Sequence, residues 1–285
     1  MAAMSGEKRE AQENDGSVTQ CQVGCDCDSF RPVTVGEEVS LVRIATMVAL
    51  AVLFPVSYAA AQQQTSAHPD LSGIWQAMNT AAWDIQDHQA WKGVPAGIGI
   101  VEGNEIPYQP SALAKKRENF EKRETADPET KCYLPGVPRL MYMPYPFQIF
   151  QSSDQITMLF EYVHATRFIY TNGTKHPEGH IDWWMGDSRG HWEGNTLVVD
   201  VVDFNDETWF DRAGNFHSDE LHLVERLTLL DADHINYEVT VEDPKVFTRP
   251  WRMSMILYRH KEKNAQLLEY ECFGFDNEFH VTPPK

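Results

Sequence analysis

From Phe147 onward the chain is written almost entirely in short segments where apolar and polar residues alternate, the two-residue period of a half-buried β-strand. "FQIFQS" (147–152), "QITMLFEY" (155–162) and "ATRFIYT" (165–171) follow one another, with turn residues at Ser153-Asp154 and Asn172-Gly173. Then come "NTLVVDVVDF" (195–204), "ELHLVERLTLL" (220–230), "HINYEVTVED" (234–243), "WRMSMILYRH" (251–260) and "AQLLEYECF" (265–273), most of them joined by short connections. With "DLSGIWQAM" (70–78), where Ile74 and Trp75 take opposite faces, the count reaches nine. A sheet of that size closes or folds over to hide its edges. The pattern predicts an all-β fold, an antiparallel barrel of about eight or nine strands with long loops, and a sandwich as the alternative.

One segment is helical in character: "SALAKKRENFEKRET" (111–125) has Ser111 placed to cap it, Pro128 beyond it and a narrow apolar stripe at Leu113 and Phe120, as on a surface helix. Residues 79–110, rich in Gly and Pro, read as loop. Farther upstream, Arg43, an apolar run (44–56) and small residues (59–61) stand in the order of a secretory signal peptide, too short for a membrane span. Residues 1–61 are therefore expected to be an N-terminal extension and signal peptide, the signal at about 41–61 with a start near Val39 or Met47. Residues 62–130 would hold the first strand, loop and surface helix, and 131–285 the barrel body of the same domain. The mature protein is expected to be secreted or periplasmic, without integral membrane association. Cys21, Cys25 and Cys27 fit no zinc spacing and lie in the removed part. The remaining 20 basic and 34 acidic residues give a net charge near −14, a surface that repels nucleic acid and anionic lipid. Cys132 and Cys272 remain, either as a disulfide or as two buried thiols.

Gly73-Ile74-Trp75 resembles the G-x-W opening of lipocalin-type barrels, in which the tryptophan closes one end beneath an arginine from a late strand. The resemblance implies that part for Arg252 or Arg259, and a lipocalin-like barrel. The runs "CYLPGVPRLMYMPYPFQI", "MGDSRGHWEGNTLVVDVVDFNDETWFDRAGNFHSDELHLVER" and "YEVTVEDPKVFTRPW" are similar to a family of secreted bacterial proteins abundant in soil and marine genomes. That similarity covers nearly the whole mature chain. It implies secretion and a shared β core, and carries no activity.

Side chains able to do chemistry gather on two connections, 172–194 and 205–219, with Trp183, Trp184, Trp192 and Trp209. Such loops either form a ligand mouth or pack as lids on a barrel end while their acids face water. A histidine beside a carboxylate is the simplest proton-transfer device near neutral pH. His217 lies between Asp211 and Asp219, with Asp206 nearby, and Glu225 shares its strand face with Leu221, Leu223 and Leu227. Glu225 is then either an acid with a raised pKa or the partner of an arginine such as Arg167. The expected catalytic set is His217, Asp211, Asp206 and Glu225. Trp183, Trp184, Trp209, His164, Arg167, His176 and Asn205 are the expected substrate-binding residues.

The expected function is a small-molecule-binding barrel that performs acid/base chemistry without a cofactor on an apolar small molecule, in the manner of a lyase or isomerase: hydration, isomerisation, cyclisation or elimination. A non-catalytic lipocalin-like carrier is one alternative. A metal-dependent hydrolase or oxidase is the other, with Zn or Cu on His176, His191, His217 and His222. His176 and His180 are spaced H-x3-H, although Pro177 and Gly179 oppose the helix that spacing suits. The pairs Met141/Met143 and Met253/Met255 suit Cu(I) or an ordinary strand core equally. The sequence contains no P-loop and no dinucleotide fingerprint after a strand.

Overall fold

A computed structural model describes residues 68–91, 93–179, 181–270 and 272. The proposed signal segment, Cys21, Cys25, Cys27 and His180 lie outside the described residues. Nine strands form a closed barrel in chain order. They are β1 (Gly73–Ala77), β2 (Phe147–Gln151), β3 (Gln155–Phe160), β4 (Thr166–Tyr170), β5 (Asp187–Glu193), β6 (Thr196–Val202), β7 (His222–Asp231), β8 (His234–Glu242) and β9 (Trp251–Arg259); the helix α1 (Ala112–Ala126) lies between β1 and β2 in sequence. β1 pairs antiparallel with both β2 and β9, which closes the ring.

The antiparallel expectation needs one correction. β4 and β5 run parallel, Ile169 opposite Ser188 and Tyr170 opposite Arg189. The reason is parity: in a ring of strands joined in order, direction can alternate all the way round only when the number is even, and nine leaves one parallel pair. Parallel neighbours cannot be joined by a hairpin, so residues 171–186 must carry the chain back along the barrel before β5 begins. Topology sets the length of that connection.

Two strand assignments also change. β5, "DSRGHWE", falls in the stretch expected to be connection; Asp187, Arg189, His191 and Glu193 alternate with Ser188, Gly190 and Trp192, so no hydrophobic run marks it. Gly190 is needed there, because a Cβ would stand 2.9 Å from Ile169 Cγ2 on the neighbouring strand. Conversely, the described part of 265–273 forms no strand. It is tied down by side chains: Leu268 N donates to Glu161 (2.8 Å), Tyr270 packs on Tyr145 and Tyr162 (4.7 and 5.5 Å), and Cys272 is disulfide-bonded to Cys132 with the Cα atoms 5.6 Å apart.

Alternation sends one face of each strand inward. Trp75, Phe147, Met158, Ile169, Leu197, Leu223, Ile235 and Leu257 have no exposed surface at all. A void wide enough for water would give the side chains around it accessible surface, so these residues pack against one another and fill the space between them. At one end Trp75 donates its indole N–H to Leu71 O (2.9 Å), and the Arg259 guanidinium lies 4.1 Å from its ring centroid. Of the two candidate arginines, Arg259 takes this place; Arg252 pairs with Glu102 (2.8 Å). Gly73 admits it, since a Cβ there would meet Arg259 Nη1 at 2.1 Å.

The helix docks differently from expectation. Leu113 and Phe120 are 40% and 41% exposed, whereas Ala112 and Asn119 are buried. Phe120 faces Trp91 (6.0 Å between centroids), with the Arg123 guanidinium 4.2 Å from both rings. Ser111 stands at the N-cap position, but its hydroxyl makes no capping bond.

Candidate functional site

Glu225 of β7 points into the lumen and is fully buried. Arg167 of β4 reaches it with both Nη atoms, Nη1 to Oε1 at 3.1 Å, and Tyr237 of β8 donates its hydroxyl to the same Oε1. The Ser188 hydroxyl accepts from Arg167 Nε (3.2 Å) and Nη2 (3.0 Å). Burial, then the Glu225 charge, push the Tyr237 hydroxyl well above its ordinary pKa. The ion-pair reading of Glu225 therefore describes its surroundings.

His217 is 2% exposed. Its Nδ1 meets only an acceptor, Ser218 O at 2.8 Å, so Nδ1 carries the proton and Nε2 accepts from Thr208 Oγ1 at 2.6 Å. Phe204 and Phe210 flank the ring (5.8 and 5.4 Å). Burial lowers its pKa. Asp211 is also fully buried and accepts from Ile85 N (2.9 Å), Ala213 N (2.9 Å), Asn215 N (3.1 Å) and Asn215 Nδ2 (2.6 Å). Burial, then Asp84, push its carboxyl up to about 7 against those donors. Asp206 is exposed, and Asn205 Oδ1 caps its own turn by accepting from Glu207 N (3.1 Å).

No hydrogen bond joins any two of His217, Asp206, Asp211 and Glu225. Glu225 belongs to the lumen, His217 and Asp211 hold the 203–221 connection, and Asp206 acts on His217 only through its charge. His164 likewise parts from its neighbours: it is exposed at φ +52°, Glu161 turns to Leu268 and Arg167 turns inward. The tryptophans are spread as well. Trp183, 45% exposed, is bonded through its backbone to Asp203 and Asn205; Trp184 meets Tyr133 edge-on at 5.3 Å; Trp209 is 9% exposed. Trp209 and Asp206 do share a surface pocket beside α1.

What the fold brings together lies on the outside of β5–β8. Asp187 is fixed by Arg189, which donates from Nε (2.7 Å) and Nη2 (2.9 Å). The 171–186 connection lays His176 over this face, with Nδ1 2.6 Å from Asp187 Oδ2 and Nε2 3.2 Å from Asp200 Oδ2 on β6. The other oxygen of Asp200 meets His222 Nε2 at 2.5 Å, and His222 Nδ1 lies 3.5 Å from Glu242 Oε2. The order Arg189, Asp187, His176, Asp200, His222, Glu242 thus forms one continuous chain of polar contacts. Both imidazoles are partly open to solvent, 24% and 35% exposed at the side chain. Partial burial would raise the Asp200 carboxyl, but the two imidazoles, His222 first, hold it below its ordinary value.

Each imidazole stands between two carboxylates, and both ring nitrogens find acceptors only when the ring carries two protons. The arrangement can therefore take up and release a proton at a solvent-accessible place. Sequence reasoning singled out His176 and His222 but gave no site role to Asp187, Arg189, Asp200 or Glu242. The one legible signal was Asp200, an acid on the outward phase of "VVDVV".

Among the described residues, no three or more His, Cys, Asp or Glu side chains are disposed to hold a metal ion. His191 lies against Glu193 at 3.3 Å, His217 is buried in its own loop, and the Asp200 carboxylate sits between His176 and His222. Another polar cluster, also missed, ties the end of α1 to the segment before β2 and to the 203–221 connection: Arg139, 1% exposed, donates to both oxygens of Asp127 (2.8 Å each) and to Glu129, which Arg212 also contacts. Burial alone would raise the Glu129 carboxyl, but the guanidiniums, Arg139 first, hold it below its ordinary value. Comparison with protein family models, with curated proteins and with solved structures finds no match for this chain.

Proposed function

We propose that this chain is an exported β-barrel enzyme doing acid/base chemistry without a cofactor on an apolar small molecule, with His176 and His222, linked through Asp200, as its proton donors and acceptors. The observation that carries the reading is the pair of partly exposed imidazoles bonded to opposite oxygens of one carboxylate. Trp183, four residues ahead of Asp187 and bonded to the chain just past β6, supplies apolar surface at the same end of these strands. Export is supported by the layout of residues 41–61 and by the Cys132–Cys272 disulfide, a bond at home in an oxidising compartment. The charged outer face of β5–β8 around an apolar lumen is the reverse of a lipid-embedded barrel, which supports a protein that works in water.

Hydration, isomerisation and elimination all include a proton transfer at carbon, so deuterium uptake from heavy water is a test common to the class. The purified protein would be mixed with a panel of small aryl and alkyl ketones and enones and followed by proton NMR. The expected result is uptake at one position of at least one compound, reduced by about 10²- to 10⁴-fold in His222→Ala and Asp200→Asn. Uptake no faster than buffer across the panel, or unchanged rates in both variants, would refute the proposal.

A further inference from the structure

The pocket beside α1 involves none of the residues of the His176–Asp200–His222 chain, and the inference drawn from it does not rest on the activity proposed above. Its volume is about 300 Å³, at the lower end for ligand sites, so it suits a small molecule. α1 contributes Lys115 and Asn119, four residues apart on one helical face, and the turn that follows contributes Lys131 and Tyr133. Asp206, Glu207 and Trp209 line it from the 203–221 connection. The cations thus belong to one wall and the anions to the other.

These charges do not close on one another. Among the described residues Lys131, Asp206 and Glu207 form no ion pair within 4.0 Å, and Lys115 Nζ reaches Glu118 on its own helix at 3.6 Å. Opposed walls of opposite sign that stay apart create a field with one direction, which orients a dipolar guest. Asn119 adds a buried polar group, 3% exposed, whose Nδ2 donates to Gly214 O at 3.4 Å and whose Oδ1 accepts no hydrogen bond among the described residues. Gly214, at φ +82°, lets that loop press on the helix; a Cβ there would meet Phe120 N at 2.7 Å.

We propose that this pocket binds a small zwitterion, an α-amino acid or dipeptide with an apolar side chain. Its carboxylate faces Lys115 and Lys131, its ammonium faces Asp206 and Glu207, and its apolar part lies against Trp209 and Tyr133. A neutral sugar would also find aromatic surface and polar groups here, but it gains nothing from the separation of charge.

Calorimetric titration of the purified protein tests this with L-phenylalanine and glycyl-L-phenylalanine as zwitterions, L-phenylalaninamide without the anion, N-acetyl-L-phenylalanine without the cation, and cellobiose as the neutral polyol. The zwitterions are expected to bind with one-to-one stoichiometry, and each singly charged analogue about tenfold more weakly. Lys131→Ala should remove the preference for phenylalanine over its amide, and Asp206→Asn the preference over the N-acetyl compound. Both residues are exposed, so both variants should retain the circular dichroism of the parent. Absence of binding by either zwitterion up to about 10 mM, tighter binding of cellobiose, or unchanged preferences in both variants would overturn the proposal.

Discussion

Arg167–Glu225 in the lumen and His222–Asp200 on the outer face are both contacts of a basic group with a carboxylate across strands, but water reaches only the second. In the lumen Glu225 has Arg167 and Tyr237, and no solvent remains to stabilise either charge if the other leaves. On the outer face Asp200 is 47% and His222 35% exposed, so solvent screens the pair and can replace either partner. Where solvent is excluded, such a pair fixes structure; where it is admitted, the same groups are free to exchange protons.

The sharpest way to break that contrast is to remove one inner partner. Glu225→Ala should cost about 3–5 kcal/mol in urea unfolding, because the Arg167 charge is left buried and unpaired. Glu225→Leu combined with Arg167→Met should restore most of that loss; a single-variant cost below about 1 kcal/mol would mean that water enters the lumen. His217 lies between the extremes, buried but neutral, and His217→Gln should cost about 1–3 kcal/mol by unpairing Thr208 and Ser218.

His217 also gives the stability a pH dependence of definite sign. Its folded pKa lies below the ordinary 6.5, so below that pH the unfolded chain gains a proton that the fold refuses. The contribution is fully present above about pH 6.5 and shrinks as pH falls toward the folded value; urea midpoints from about pH 7.5 to about pH 5 should therefore drop less in His217→Gln than in the parent. The smallest effect is expected outside. Asp200→Asn should change stability by less than about 1 kcal/mol, and less still in about 1 M NaCl, while lowering deuterium uptake by about 10²- to 10⁴-fold. A large, salt-insensitive loss would show that this chain of contacts holds the fold rather than serving chemistry.

Most of the barrel was legible because alternation is a strong signal wherever one strand face is apolar, as in "LHLVERL" and "INYEVTV". The same rule placed Glu225 inward and made Arg167 a natural partner. β5 escaped because Ser188 and Gly190 give its inner face little hydrophobic content. The total of nine came out right only because the missed β5 was offset by 265–273, whose described residues are held by a disulfide and tyrosine packing rather than by a sheet. The outer histidine chain was less legible, because it depends on where a connection without regular structure comes to rest. His217 and Asp211 have the composition of a catalytic loop, yet burial ties both to nearby backbone, a difference that residue types alone do not encode.

The parallel seam between β4 and β5 is the place where the chain could most naturally begin and end. β9 and β1 are antiparallel neighbours, with His260 N bonded to Ile74 O at 2.8 Å, so a short linker could join them. Opening the chain within 171–186 and making that join would produce a circular permutant ordered β5 to β9 and then β1 to β4, in which every connection joins antiparallel partners. The barrel is in that sense a plain nine-stranded meander whose ends have been moved, and the segment bearing His176 is the piece of chain that sews its first strand to its last.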